Sequence, residues 1–124
     1  MDLIFDTHAL VWFGAGSPRF SRRVRHETEA PDCRIYVSAV TAWEYSDLLN
    51  RGRLPGATEL DVLQLGLGFE ILDWTAELWR YAKRLPDLHR DPVDRMLVAH
   101  AIEADLTIAT ADRTIPCYPV RTLW

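Results

Sequence analysis

The sequence predicts a three-layer α/β domain, with a mainly parallel central sheet of about five short strands and helices on both faces. Two observations carry this. Short apolar runs alternate along the chain with stretches of helical spacing, the order from which parallel sheets are built. The first of those runs, Leu3-Ile4-Phe5, is apolar at every position, which marks a strand covered on both faces. The length of 124 residues suits one domain, expected to span 1–124. A chain of this size can bury roughly 65–70% of its unfolded surface without disulfides or metal staples.

Each element has a local reason. Residues 2–5 form the first strand and end at Asp6. Residues 7–14 are helical, stopped by the run Gly14-Ala15-Gly16-Ser17-Pro18. Residues 21–29 read as a charged surface helix halted near Pro31, and the β-branched and aromatic stretch 34–38 as a second strand. A helix is expected over 41–50, with Gly52 ending it and Leu54-Pro55-Gly56 turning the chain. A helix over 58–68, weakened by Gly66 and Gly68, leads to a third strand at 69–72. Residues 75–84 are helical, with Leu78, Trp79 and Ala82 at core spacing; residues 85–90 are a loop. Asp91 and Pro92 suit the N-cap and first position of a helix running to 104. Strands at 106–110 and 120–123 complete the sheet. Trp12, Trp43 and Trp79 are expected to pack in the core.

Composition excludes several classes. Each half of the chain carries seven of the 14 basic and nine of the 18 acidic residues, so each is −2 and neither is a basic nucleic-acid-binding arm. Any contact with nucleic acid is therefore local or mediated by a cation. Two cysteines, Cys33 and Cys117, are too few for a disulfide framework and suit a reducing compartment. The opening MDLIFDTHAL has neither a basic leader nor a long apolar run, so a cytoplasmic protein without a membrane span is expected.

Four carboxylates stand where chemistry is expected. In parallel sheets ligands bind at the carboxyl ends of the strands. Asp6 ends the first strand and Asp112 follows the fourth. Glu44 and Asp94 lie early in helices, where each has a purely structural explanation. Thr41-Ala-Trp-Glu44 fits a capping box, and Asp91-Pro-Val-Asp94 fits a similar start. Yet Glu44 falls between Val40 and Leu48 on its helix, and Asp94 shares a face with Leu97, Val98 and Ala101. Acids on core-facing stripes are costly without a partner, and the one Lys of the chain, Lys83, is on another helix. A divalent cation relieves such a cluster, and oxygen ligands select Mg²⁺, or Mn²⁺ in its place, over Zn²⁺.

Other site types lack their residues. No HxxxH or CxxC pair supports a zinc site, and His8 and His100 are expected at the core edge or hydrogen-bonded. No GxGxxG, phosphate-binding P-loop or GxSxG occurs. A phosphoaspartate receiver needs a Lys at a late strand end. A haloacid-dehalogenase-type phosphatase needs a second Asp where His8 stands.

Four segments together carry a family resemblance: LIFDTHALVW at 3–12, VSAVTAWE at 37–44, LPDLHRDPVDRMLVAHA at 85–101 and TAD at 110–112. In motif order and spacing the chain resembles the PIN-domain ribonucleases, specifically the VapC-like toxins of bacterial type II toxin–antitoxin pairs. The string HRDPVDRML is its most specific part. The resemblance implies metal-binding and catalytic roles for Asp6, Glu44, Asp94 and Asp112. It implies supporting roles for Asp91, Thr7 and Thr110. Arg90 and Arg95, flanking the acidic helix start, are candidates to guide the RNA backbone. A bound Mg²⁺ would polarise the scissile phosphate and lower the pKa of an attacking water, giving 5′-phosphate and 3′-hydroxyl ends. The resemblance further implies a homodimer and a cognate VapB-like antitoxin whose tail covers the site. The chain departs from the subgroup at Asp47-Leu48, where a Lys is common, and at Pro119, where a Gly follows the Tyr. The region 55–68 is also short.

Three readings of function compete at this level. The first is a Mg²⁺-dependent endoribonuclease toxin. The second is a catalytically inactive PIN-like binding module whose acids only cap helices. The third is a metal-dependent phosphohydrolase of small molecules.

Overall fold

A computed structural model describes all 124 residues. Five strands form one sheet: β1 (Leu3–Phe5), β2 (Ile35–Ser38), β3 (Glu70–Leu72), β4 (Thr107–Ala109) and β5 (Thr122–Leu123). Their order is β3-β2-β1-β4-β5 and every neighbouring pair is parallel. Six helices connect them: α1 (Thr7–Gly14), α2 (Arg22–Thr28), α3 (Ala39–Asn50), α4 (Leu60–Leu67), α5 (Leu78–Arg84) and α6 (Pro92–Ala104). The α/β expectation therefore holds, with a sheet that is parallel throughout.

Alternation along the strands builds two cores. Leu3, Phe5, Ile35 and Val37 face one side and pack with Ala9 and Leu10 of α1, Val24 of α2, Tyr45 of α3 and Leu63 of α4. Ile4 and Ile108 face the other side and pack with Leu97, Val98 and Ala101 of α6, beside Ile115 and Tyr118. Leu3, Ile4 and Phe5 are fully buried, each worth roughly 1.5–3 kcal/mol of transfer free energy. That is why β1 runs through the centre of the sheet.

Strand order reverses at β1. The chain moves from β1 to β2 and β3 on one side, then crosses to β4 and β5 on the other. The carboxyl ends of β1 and β4 thus flank a switch point, the place where α/β sheets open a crevice.

Three expectations are corrected. Helix α3 begins at Ala39 rather than 41, because the Ser38 hydroxyl accepts the Val40 amide at 3.2 Å and caps it. Thr41 is then inside the helix and buried, so Thr41 and Glu44 form no capping box. Helix α5 starts at Leu78, three residues later than expected, after a turn in which the Thr75 carbonyl accepts the Leu78 amide. Trp43 and Trp79 are not core residues: they are 63% and 50% exposed. Helical spacing with Leu78 put Trp79 beside the buried stripe, but its ring lies outside under the cations of Arg80 and Lys83. Trp12 is partly buried and packs on the first core, as expected.

Candidate metal centre at the strand ends

The site grows from the end of β1. Asp6 leaves the strand in extended backbone and caps α1, its Oδ1 accepting the Ala9 amide at 2.8 Å. Asp6 thus caps a helix and also lines a crevice. Its other oxygen, Oδ2, accepts the Thr110 hydroxyl at 2.5 Å. Thr110 in turn accepts the Asp112 amide at 3.0 Å. Thr7, the first residue of α1, donates its hydroxyl to Glu44 Oε1 at 2.5 Å. Thr7 and Thr110 are both buried, and each fixes one acid.

Asp112 lies beyond β4. Its Oδ1 accepts the Thr114 and Ile115 amides at 2.7 and 3.4 Å. Asp94 sits one turn into α6, half-buried, and Asp91 is the N-cap, its Oδ1 accepting the Val93 amide at 2.9 Å. Asp6, Glu44, Asp91, Asp94 and Asp112 all line one cavity of ≈550 Å³, together with Thr7, His8, Trp12 and Arg53. All four acids singled out in the sequence are thus brought to one crevice.

Crowding shows in their proton affinities. Burial, then repulsion by Asp91, pushes the Asp94 carboxyl up to about 7, with Asp6 and Asp112 adding to the rise and His89 opposing it. Burial likewise raises Asp6, against hydrogen bonds from Thr110 and the Ala9 amide. Asp112 goes the other way: burial would raise it, but hydrogen bonds from His89 and the Thr114 amide bring it below the usual carboxylate value. At neutral pH the cluster therefore demands a proton or a cation. Among the polar groups of the lining, five carboxylates and the Thr7 hydroxyl offer oxygen donors, a set that fits a hard divalent ion such as Mg²⁺.

Sequence reasoning missed His89. It lies in the loop before α6, and its Nε2 is 2.8 Å from Asp112 Oδ2 and 3.1 Å from Asp94 Oδ2. Partial burial disfavours its charged form, yet the hydrogen bond to Asp112 and the charges of Asp94 and Asp112 raise its pKa overall. The Asp91 amide, pointing at Nδ1 from 3.0 Å, opposes a proton there. The available signal was its place at the head of HRDPVDRML, two residues before a helix-capping Asp.

Other residues are placed as follows. His100 is buried and its Nδ1 meets the Ser38 hydroxyl at 2.8 Å, as expected. His8 is exposed instead, its ring tilted against Trp12 with centroids 5.7 Å apart. Arg90 is exposed. Arg95 departs from its expected role: its guanidinium donates to the carbonyls of Pro86, Ala82 and Leu85 and to Asp87. Those bonds spend its donors on the turn after α5.

The PIN domain profile matches residues 3–118. No curated protein sequence matches the chain. Among solved structures, the chain is similar to VapBC2 from Rickettsia felis bound to a DNA fragment from its promoter, with TM-score 0.72 and 16% identity over 99% of this chain and 98% of that one. It is similar to Mycobacterium tuberculosis VapC20, a sarcin-ricin loop cleaving toxin, with TM-score 0.65 and 18% identity over 93% of each chain. It is similar also to FitAcB from Neisseria gonorrhoeae, with TM-score 0.60 and 23% identity over 98% and 96% of the two chains. At these identities the likeness to solved structures is one of fold. The profile spans nearly the whole chain and takes in every acid of the crevice, and the chain belongs to the PIN domain family.

Proposed function

We propose that the chain is a single PIN nuclease domain, residues 1–124, that hydrolyses RNA phosphodiester bonds with Mg²⁺ or Mn²⁺ as the toxin of a toxin–antitoxin pair. The observation that carries this reading is the convergence of Asp6, Glu44, Asp94 and Asp112 on one crevice at the switch point of the sheet. Caps alone do not explain it, because Glu44 and Asp94 cap nothing and Asp94 is held at a cost.

The chain's own residues divide the work. Asp6, Glu44, Asp94 and Asp112 would hold the ion, which when bound polarises the scissile phosphate and makes water a better nucleophile. Thr7 and Thr110 orient Glu44 and Asp6 through their hydroxyls. Asp91 holds the start of α6 and so the position of Asp94. Arg90, exposed and next in the chain to Asp91 of the crevice, would meet the RNA backbone. A cation between acidic protein and polyanionic substrate also reconciles RNA cleavage with a net charge of −4.

The partner reading has separate support. One chain of VapBC2 shares this fold, and a VapB-like antitoxin is the proposed partner here. Exposed Trp43, Val62, Leu65 and Trp79 leave apolar surface for an antitoxin and for a second copy of the chain in a homodimer. No helix is long and apolar enough to cross a membrane, and action on RNA in the cytoplasm is the proposed setting.

The test is RNA cleavage by the purified chain. We expect cleavage in millimolar Mg²⁺ or Mn²⁺, 5′-phosphate ends, loss with a chelator, and loss in Asp6→Asn. A folded wild-type chain that binds RNA but cuts none with either ion would replace this reading with a binding module.

A further inference from the structure

Five of the 12 residues lining the crevice are acids, and five others are of another kind: His8 and Trp12 from α1, Leu48 from α3, and Arg53 and Leu54 just beyond α3. Helix geometry places them. Leu48 follows Glu44 by four residues on α3, on the same face and about 6 Å further along the axis. His8 and Trp12 are likewise one turn apart on α1, which Asp6 caps. An aromatic and aliphatic wall therefore continues the crevice away from the acids. The whole cavity of ≈550 Å³ has the size of small-molecule sites, roughly 300–1,000 Å³, more than an ion alone requires.

The wall is held in place. Trp12 is half-buried, with Trp124 at 5.6 Å, His8 at 5.7 Å and the Arg19 guanidinium 6.0 Å from its ring. Arg53 is set by the end of α3. Gly52 turns the chain in left-handed backbone at φ +69°. The Gly52 and Arg53 amides then return to the Leu49 and Leu48 carbonyls at 3.1 and 2.9 Å, which closes the helix as a Schellman motif. The neighbouring carboxylate, Asp47, is taken by Arg51 at 3.0 Å. Arg53 is exposed, and although five carboxylates line the same crevice, its guanidinium forms no ion pair or hydrogen bond within the chain.

We propose that His8, Trp12, Leu48, Leu54 and Arg53 form a pocket for one unstacked nucleotide of single-stranded RNA, next to the phosphate that the acids and their ion would engage. This rests on the nuclease reading and adds to it the form of the substrate. A polynucleotide alternates phosphates with flat bases, and the crevice alternates in the same way. An acid-held cation meets one phosphate, Trp12 offers its ring to a base, and Arg53 meets the next phosphate. A base stacked within a duplex has no free face for Trp12, so the pocket selects unpaired RNA.

The experiment measures binding of short single-stranded RNAs by the uncleaving Asp6→Asn chain in chelator, with an abasic nucleotide moved along the strand one position at a time. Cutting of the intact RNA by wild type with Mg²⁺ locates the cleaved bond. One abasic position, beside that bond, should weaken binding about fivefold or more. Trp12→Leu in the Asp6→Asn chain should weaken binding of intact RNA by a similar factor and of the abasic RNA no further, while Trp12→Phe restores binding. Arg53→Ala, which breaks no contact within the chain, should keep the melting temperature, weaken binding and lower its salt slope by about 0.7. It reads on the pocket even if the leucine variant does not fold. Equal binding whichever position is abasic would overturn the proposal. So would equal losses on intact and abasic RNA in a folded Trp12→Leu, or unchanged affinity and slope in Arg53→Ala. RNA cut by wild type without these effects removes the pocket and leaves the nuclease reading. RNA bound with these effects but never cut removes the nuclease reading and leaves the pocket.

Discussion

The Thr110 hydroxyl donates to Asp6 Oδ2 across 2.5 Å, joining residues 104 positions apart in the chain. The Thr110 hydroxyl oxygen also accepts the Asp112 amide. One side chain therefore ties the end of β1 to the end of β4 and sets two site acids relative to each other. Thr110→Val keeps the shape and deletes both bonds, leaving a buried carboxylate oxygen and a part-buried amide short of partners. The expected loss is about 1–3 kcal/mol of stability per unsatisfied group, with RNA cleavage falling further than stability accounts for. Thr110→Ser should restore both. Denaturant unfolding and cleavage rates on the three proteins check this; equal cleavage by the valine variant would remove Thr110 from the site.

A second expectation concerns pH. The Asp94 carboxyl is raised from 3.8 to about 7 in the folded chain. A raised folded pKa means that folded protein binds the proton more tightly than unfolded protein. The resulting stability is complete below about 4 and is lost as pH rises through about 7. Asp6 and His89, also raised, work in the same direction, and His100, lowered by its burial, works against them. The metal-free chain should therefore melt at progressively lower temperature as pH climbs across this window. Millimolar Mn²⁺ should flatten the trend, because an ion that binds only the folded state replaces the proton. Thermal melts with and without chelator decide it; a metal-free midpoint that rises with pH would contradict the sign.

Asp91 and Asp94 are separated by one helical turn, and their asparagine variants should differ. Asn is nearly as good an N-cap as Asp, so Asp91→Asn should keep the fold and most cleavage. Asp94→Asn deletes a charge that burial and neighbouring acids disfavour. It should raise the metal-free melting temperature, weaken Mn²⁺ binding and abolish cleavage. Circular dichroism, metal titration and RNA cleavage on both variants test the division. Equal loss of activity in two folded variants would put Asp91 among the ligands.

The parts of this molecule legible in the sequence are those governed by local rules. Continuous apolar strands, Gly and Pro stops and the Asp91-Pro92 start each announced an element. The four acids were legible because strand ends and core-facing helix positions are unusual places for charge. What was not legible depended on packing at a distance. Trp43 and Trp79 had core spacing but lie outside, since one helix has more than one side and spacing does not say which is covered. Thr41 matched a capping pattern, but Ser38 reached the helix start first. His89 became visible only when the fold brought Asp94, Asp112 and the Asp91 amide around its ring.

Arg90 and Arg95 look alike in the sequence, both flanking the acids of HRDPVDRML, and the fold separates them. Arg95 is bonded to the carbonyls of Ala82, Leu85 and Pro86. These close the end of α5, where backbone oxygens lack helical partners. Its side chain is only 20% exposed, and its planar fork bridges the part-buried carbonyls of Ala82 and Leu85 and the exposed carbonyl of Pro86. Arg95→Ala should cost about 1–3 kcal/mol of stability. Arg95→Lys should recover little of it, because an ammonium cannot span several acceptors in one plane. Arg90 is exposed and enters no ion pair within the chain. Arg90→Ala should leave the melting temperature unchanged, weaken binding of single-stranded RNA by the uncleaving Asp6→Asn protein, and lower the salt slope of that binding by about 0.7. Arg95→Ala, at temperatures where it is folded, should leave the slope alone. Thermal melts together with RNA titrations across a salt series measure both quantities on the same samples. If the Arg95 variant loses the salt slope while its melting temperature holds, the two assignments are interchanged.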